Sequence, residues 1–440
     1  MKPDKIKAAL NETICSLGNF SWFFASNPQK DFTRKRKMPF EKVITSILAF
    51  RNGSLTNELL DVFQFDSRVV STSAFVQQRS KILPAAFEYL FSAFTKKVEQ
   101  NKTYKGYRLL AVDGSDIQIP ADANDMGSFY PGANGQKSYN LLHLNAMYDL
   151  LGHLYVDAIL HKSRRSDECG ALTAMVDRFD SAENAILLAD RGYESYNNLA
   201  HIQKKGWKFL IRIKNGATGI TSGLVLPKED AFDVPFQLLL TRKQSNSVKE
   251  LQKGKNSCKF FPSKARFDYL PKKQKNRDAV VFFKLSFRLV RFPISDTMQE
   301  TIITNLDADE FPAAEIKRLY AMRWGIETSF RELKYTLGLL HLHSKKVEFI
   351  HQEIFAKLTM YNFCESITQS VVIQQANKKH DYKVNFSAAV HICLQFFLGR
   401  IAPPNVEAFL ARYISPIRRG RKYSRRLTPK AAVSFLYRVA

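Results

Sequence analysis

Cysteine is scarce and scattered: Cys15, Cys169, Cys258, Cys364 and Cys393 are odd in number, far apart and never in a C-x-x-C pair. That pattern excludes a disulfide framework and a zinc knuckle, and it points to a reducing compartment. No stretch approaches the roughly 18 uninterrupted apolar residues of a membrane span, and the opening MKPDKIKAALNETICSLGNF lacks a secretory apolar centre. The expectation is a cytoplasmic protein with no membrane partner. Acids are outnumbered: 41 Asp and Glu face 66 Lys and Arg, for a formal net charge of +25. Such an excess suits a polyanionic partner, nucleic acid first, with an anionic membrane surface or ribosomal docking behind it. With 440 residues, 45% of them hydrophobic, the chain can bury large cores and is long enough for more than one domain.

Up to about residue 104 the apolar period is helical, in FEKVITSILAF, TNELLDVFQF and AAFEYLFSAFTKKV. Between them, VVSTSAFVQQRSKI combines helix-capping Ser and Thr with Gln77, Gln78, Arg79 and Lys81, side chains suited to base edges and phosphates. This reads equally as a helix-turn-helix or as a plain bundle with a solvated polar face. From Tyr107 strands follow: YRLLAVD, stopped by GSD, then KSYNLLHLNAMYD and GHLYVDAILH as a hairpin turning near Leu151 and Gly152. A helix, the strand AILLAD, a second helix and the strand WKFLIRIK come next. The order β-β-β-α-β-α-β is that of an α/β ribonuclease H-like core, a mixed sheet flanked by helices, over residues 105–214. A β-rich insertion occupies 215–306 and includes the Lys-rich LPKKQKNRD; a final core helix occupies 307–350. The helical tail, 351–440, closes with the basic run SPIRRGRKYSRRLTPK.

The chemistry concentrates in that last core helix. In YAMRWGIETSFRELK, Tyr320, Arg323, Glu327, Arg331 and Lys334 recur at steps of three or four, forming one stripe. At 100 degrees per residue the stripe borders the apolar face of Leu319, Ile326, Phe330 and Leu333, where a helix meets a sheet, and Glu332 points away. Asp113 ends one apolar run and Asp190 another, each with Gly within two residues, so both carboxylates should emerge at strand ends beside Glu327. Three adjacent carboxylates repel unless a hard cation, Mg²⁺ foremost, neutralises them. Singly these signals are weak, since Asp before Gly is usually a turn residue and Glu327 between two Arg is usually a surface ion-pair row. His161 and His343 lack clustered partners and read as ordinary polar residues.

Together the residues resemble bacterial insertion-sequence transposases of the acid-triad (DDE) class, and within them the family named for insertion sequence four. The family signature of Tyr, two residues, Arg, three residues, Glu, six residues, Lys is met by Tyr320, Arg323, Glu327 and Lys334, the YREK motif. AVDGSDI, LADRGY and FLIRIK extend the likeness. The resemblance implies that Asp113, Asp190 and Glu327 bind two divalent ions, Mg²⁺ with Mn²⁺ as a substitute. It implies that Tyr320, Arg323, Lys334, Arg212 and Arg331 contact DNA. It implies nicking, hairpin formation, hairpin opening and strand transfer on double-stranded DNA, at terminal inverted repeats and then target. It also implies a homodimer in a synaptic complex, nucleoid-associated when bound. A tryptophan in the insertion commonly captures a flipped base, yet Trp22, Trp207 and Trp324 all lie outside it; an insertion phenylalanine or Tyr269 is the substitute. An inert end-binding protein and a nuclease without strand transfer are the other readings.

Overall fold

The computed structural model describes residues 1–34, 36–132, 137–180, 183–214, 219–254, 257–272, 279–295, 298–373 and 381–417. Most of the expected Lys-rich loop and the basic run from Arg418 onward lie outside these residues.

Five helices open the chain: α1 (Pro3–Asn19), α2 (Phe40–Ala49), α3 (Leu55–Val62), α4 (Thr72–Arg79) and α5 (Ala85–Val98). Pro3 stands at the start of α1, where its missing N–H costs nothing, and Ile6, Leu10, Ile14 and Leu17 form its buried stripe. Ser71 caps α4 by accepting from the Ala74 N–H, as the capping pattern predicts. Arg79, read from sequence as a candidate DNA contact, is instead buried. Its guanidinium pairs with Glu353 at 2.8 Å and donates to Gln352 Oε1 and the Phe349 carbonyl. It therefore serves the core, because an unpaired guanidinium there would be prohibitively costly.

The sheet begins with β1 (Arg108–Ile119), β2 (Phe129–Tyr130), β3 (Tyr139–Asp149) and β4 (Leu154–Lys162). It continues through α6 (Glu168–Arg178), β5 (Ala185–Ala189), α7 (Tyr196–Lys204) and β6 (Lys208–Arg212), the order read from the sequence. β1, β5 and β6 are mutually parallel neighbours, β3 lies antiparallel on the other side of β1, and β4 pairs with β3. β1 does not stop at Gly114. Its second half stays paired with β3, from Gly114 opposite Asn145 to Ile119 opposite Asn140.

Residues 215–306 supply β7 (Phe232–Thr241), α8 (Asn246–Lys253), β8 (Cys258–Phe260), β9 (Phe283–Ser295) and β10 (Met298–Thr304). These strands continue the same sheet, because β10 pairs antiparallel with β6 and carries β9, β7 and β8 outward from it. The chain then forms α9 (Ala313–Met322), α10 (Trp324–Arg331), a π-helical turn (Glu332–Thr336) and α11 (Val347–Ser370). It closes with β11 (Tyr382–Val384), α12 (Phe386–Phe397), α13 (Pro403–Arg412) and β12 (Ile414–Pro416). Alternation along the strands divides the core between the sheet's two faces. Leu109 and Ala111 join the helical bundle, α9 to α11 included, while Leu110 and Val112 face α6 and α7. Among the described residues, no helix is long and apolar enough to cross a membrane.

Candidate active site

Register brings two acids level. The parallel pairing of β1 with β5 ends at Val112 opposite Ala189, so the next residue on each strand is Asp113 and Asp190. Asp190 leaves β5 as a cap, accepting the Arg191 N–H at 2.5 Å, and Asp113 accepts the N–H of Gly114 at 2.9 Å. Asp113 thus emerges where its neighbour strand ends, within β1 rather than at its terminus.

The third acid arrives on α10. The segment 313–336 is not one straight helix: it tightens at Arg323, where N–H groups reach carbonyls three residues back, and widens to the π turn after Arg331. Gly325 permits the close approach of α10 to the sheet, since a Cβ there would stand 2.9 Å from Leu150 Cδ2. The buried Arg323 bridges two acids, with Nη2 donating to Glu327 Oε1 at 2.6 Å and Nη1 lying 3.5 Å from Asp113 Oδ2. Arg212, from β6, holds Asp190 at 2.6 Å and reaches Glu300 at 3.4 Å. Tyr320 is buried and its hydroxyl donates to the Ala189 carbonyl at 3.4 Å. Lys334 Nζ donates to the Asp116 carbonyl at 2.7 Å, and Arg331 is exposed at the end of α10.

Electrostatics separate the two aspartates. Burial pushes Asp113 up to about 6, with the Glu327 and Asp190 charges adding to it against the pull of Gly114 and Arg323. Burial also acts on Asp190, but the Arg191 N–H and Arg212 together hold it below the usual carboxylate range. Among the described residues, no three His, Cys, Asp or Glu side chains stand as a ready-made metal cluster. The carboxylates are turned onto arginines, which supply the positive charge that close acids require.

Residues 104–363 match the Transposase DDE domain family. The chain belongs to that family, and its function is that of a DNA transposase. It is 24% identical over 346 residues to the transposase InsG of insertion sequence element IS4 from Escherichia coli K12, covering 75% of this chain and 70% of that one. It is 18% identical over 348 residues to the transposase of insertion sequence element IS231F from Bacillus thuringiensis subsp. israelensis, covering 70% and 69%. Among solved structures, a piggyBac transposase synaptic complex with hairpin DNA is similar with a TM-score of 0.45 and 10% identity, covering 96% of this chain and 87% of that one.

In this transposase the structure gathers Asp113, Asp190, Glu327, Arg323, Arg212 and Tyr320. It sets Arg331 outside the cluster and turns Lys334 onto β1. Tyr320 and Arg323 lie beneath the acids rather than on an open edge. Glu332 is half-buried and accepts from the Tyr361 hydroxyl at 3.3 Å, away from the acids but not in solvent. Sequence reasoning missed a second group. Asp116 and His143 face each other across β1 and β3, and His143 Nε2 lies 3.1 Å from Glu168 Oε1 at the start of α6. The available signal was GSD directly after the first acid.

Proposed function

We propose that Asp113, Asp190 and Glu327 are the catalytic acids of a cut-and-paste transposase and hold its divalent ions. The observation that carries this is the register of β1 on β5, which levels the two aspartates, together with one guanidinium serving both Asp113 and Glu327. All candidate ligand atoms are carboxylate oxygens, the donor set that suits Mg²⁺ or Mn²⁺. Two such ions would supply charge to activate the attacking oxygen and to stabilise the leaving one. Arg323 and Arg212 already neutralise the acids, and phosphate oxygens entering the site would compete for the same planar donors. Tyr320, Lys334 and Arg331 extend the grip along the backbone of the strand being cut.

The strand order β4-β3-β1-β5-β6, with β1, β5 and β6 parallel, supports a ribonuclease H-like core over 105–214 and 307–350. Residues 215–306 form its β-rich insertion, 1–104 a helical DNA-binding region and 351–440 a basic tail, helical in α11, α12 and α13. The reaction is nicking at a terminal inverted repeat, hairpin formation, hairpin opening and strand transfer into target DNA, by two chains paired across two ends. Labelled terminal-repeat DNA with Mg²⁺ tests it. Wild type should give nick, hairpin and joined product. Asp113→Asn, Asp190→Asn and Glu327→Gln should each lower cleavage by at least about 100-fold while retaining fold and end binding, and Glu332→Gln should still cut. Near wild-type cutting by Glu327→Gln would return the stripe to an ion-pair row. Cutting without hairpin or joined product would indicate a nuclease alone.

A further inference from the structure

Glu168 opens α6, and its two carboxylate oxygens occupy the space beside the glycines just beyond both aspartates. A Cβ on Gly114, the residue after Asp113, would stand 3.0 Å from Glu168 Oε1, and one on Gly192, two after Asp190, would stand 3.2 Å from Glu168 Oε2. The carboxylate therefore sits against β1 just past Asp113 and against the turn that follows Asp190. His143 supports it from behind, with Nδ1 2.8 Å from Asp116 Oδ1 and Nε2 3.1 Å from Glu168 Oε1. Lys334 completes the chain of contacts by donating to the Asp116 carbonyl, which ties the signature lysine to this group.

A second feature points into the same space. Tyr193, on the loop after Asp190, is 2% exposed, and its hydroxyl has no hydrogen-bond partner within the protein. Burial, then the charges of Glu168 and Asp113, bear on that hydroxyl. A buried phenol without a partner is costly unless a polar group meets it. The acids near it follow one rule: Arg323 serves Asp113 and Glu327, Arg212 serves Asp190, and His143 serves Glu168.

We infer that Glu168 is a fourth carboxylate of the metal-binding set, with His143 as the positioning residue that aims it. The inference rests on the triad reading above and adds to it an acid on α6, outside the three strands and helix of the signature. Glu168 brings a further oxygen donor beside the chain just past each aspartate, so its loss weakens divalent-ion binding itself and not merely turnover. His143 acts through Glu168, as groups behind a ligand commonly do, at about 10- to 100-fold in affinity.

Mn²⁺ binding to the full chain without DNA, followed by the electron paramagnetic resonance of free Mn²⁺, tests the inference. Glu168→Gln should bind about 10-fold more weakly or lose an ion, and His143→Gln should weaken binding about 10-fold. Asp157→Asn, beneath the far end of α6 and paired with Arg178, should bind as wild type. Thermal unfolding of each variant separates binding from folding, and Glu168→Asp replaces Glu168→Gln if the latter does not fold. Wild-type affinity and stoichiometry in a folded Glu168 variant, with binding lost in Asp113→Asn, would overturn this inference alone. Unchanged binding in Asp113→Asn as well would overturn the metal-centre reading and this inference with it. A His143→Gln protein that melts earlier yet binds Mn²⁺ normally would reduce His143 to a brace for β3.

Discussion

Asp113 bears the energetic cost of the site. Its carboxyl, ordinarily near 3.8, is pushed up to about 6 in the folded protein by burial, so the folded state holds this proton more tightly than the unfolded state does. Stability from this group is fully present below the unfolded value and is lost as pH rises through about 6, by at most about 3 kcal/mol. Urea unfolding across that window should show wild type losing stability relative to Asp113→Asn as pH rises; parallel curves would show an ordinary carboxyl. On the proposed reading of Asp113 as a metal ligand, its ionisation is needed for cation binding, so Mg²⁺-dependent cleavage should rise through the same window. At this scale much of the site was legible. Asp113 and Asp190 close apolar runs, and Tyr320, Arg323, Glu327 and Lys334 carry their own spacing. The Asp116, His143 and Glu168 contacts were not, because they depend on which residue of β3 stands opposite which residue of β1, a register that no local pattern in the chain specifies.

Among the elements, the helix bearing Glu327 shows why angular reasoning succeeds only in part. A constant 100 degrees per residue placed the apolar face correctly, and Ile326, Phe330 and Leu333 are buried. It set the stripe beside that face and turned Glu332 away from it, but it did not show how deeply Tyr320 and Arg323 are buried or that Glu332 meets Tyr361, since the tight step at Arg323 and the π turn after Arg331 rotate the residues that follow them. Gly338 ends the segment. Its φ is +79°, and a Cβ would stand 1.7 Å from Asn52 Oδ1 and 3.4 Å from the Arg51 carbonyl. Gly338→Ala should therefore destabilise the protein by about 1–3 kcal/mol, measured by chemical denaturation. An unchanged midpoint would mean that Asn52 swings aside and the turn relaxes. β1 was misjudged for a different reason: Gly114 interrupts an apolar run, but pairing with β3 outweighs the local preference of glycine for a turn.

At the scale of the whole molecule, a buried ionic network ties the first hundred residues to the last. Arg79 of α4 pairs with Glu353 of α11, and Glu353 also holds His343 Nδ1 at 3.0 Å. Glu58 of α3 stands 3.8 Å from His343 Nε2, and Lys357 donates to the Phe50 carbonyl. His343 is thus a core residue at the junction between the Glu327 helix and α11, held by two carboxylates that its sequence reading as an ordinary polar residue did not foresee. Glu353→Gln should cost about 3–5 kcal/mol by leaving Arg79 buried without its counter-charge, and denaturation should show it without any change in the DNA sequence bound. A loss below about 1 kcal/mol would mean that water reaches the network. The order of elements and the mixed sheet were legible because apolar runs and helical periods are local. The way α11 threads the opening bundle was not, because its 24 residues are buried on nearly every side and show little periodicity. The antiparallel return of β10 along β6 has a consequence for how the chain tolerates change. Thr304 is seated opposite Leu210 by that pairing, so the departure point of the segment leading to Glu327 is set by the sheet and not by the length of the detour between them. Among the described residues, only β10 of that detour reaches the acids, through Glu300 on Arg212, which makes the outer edge near β8 a place where a fluorescent domain can be grafted while the distance between Asp190 and Glu327 stays as it is.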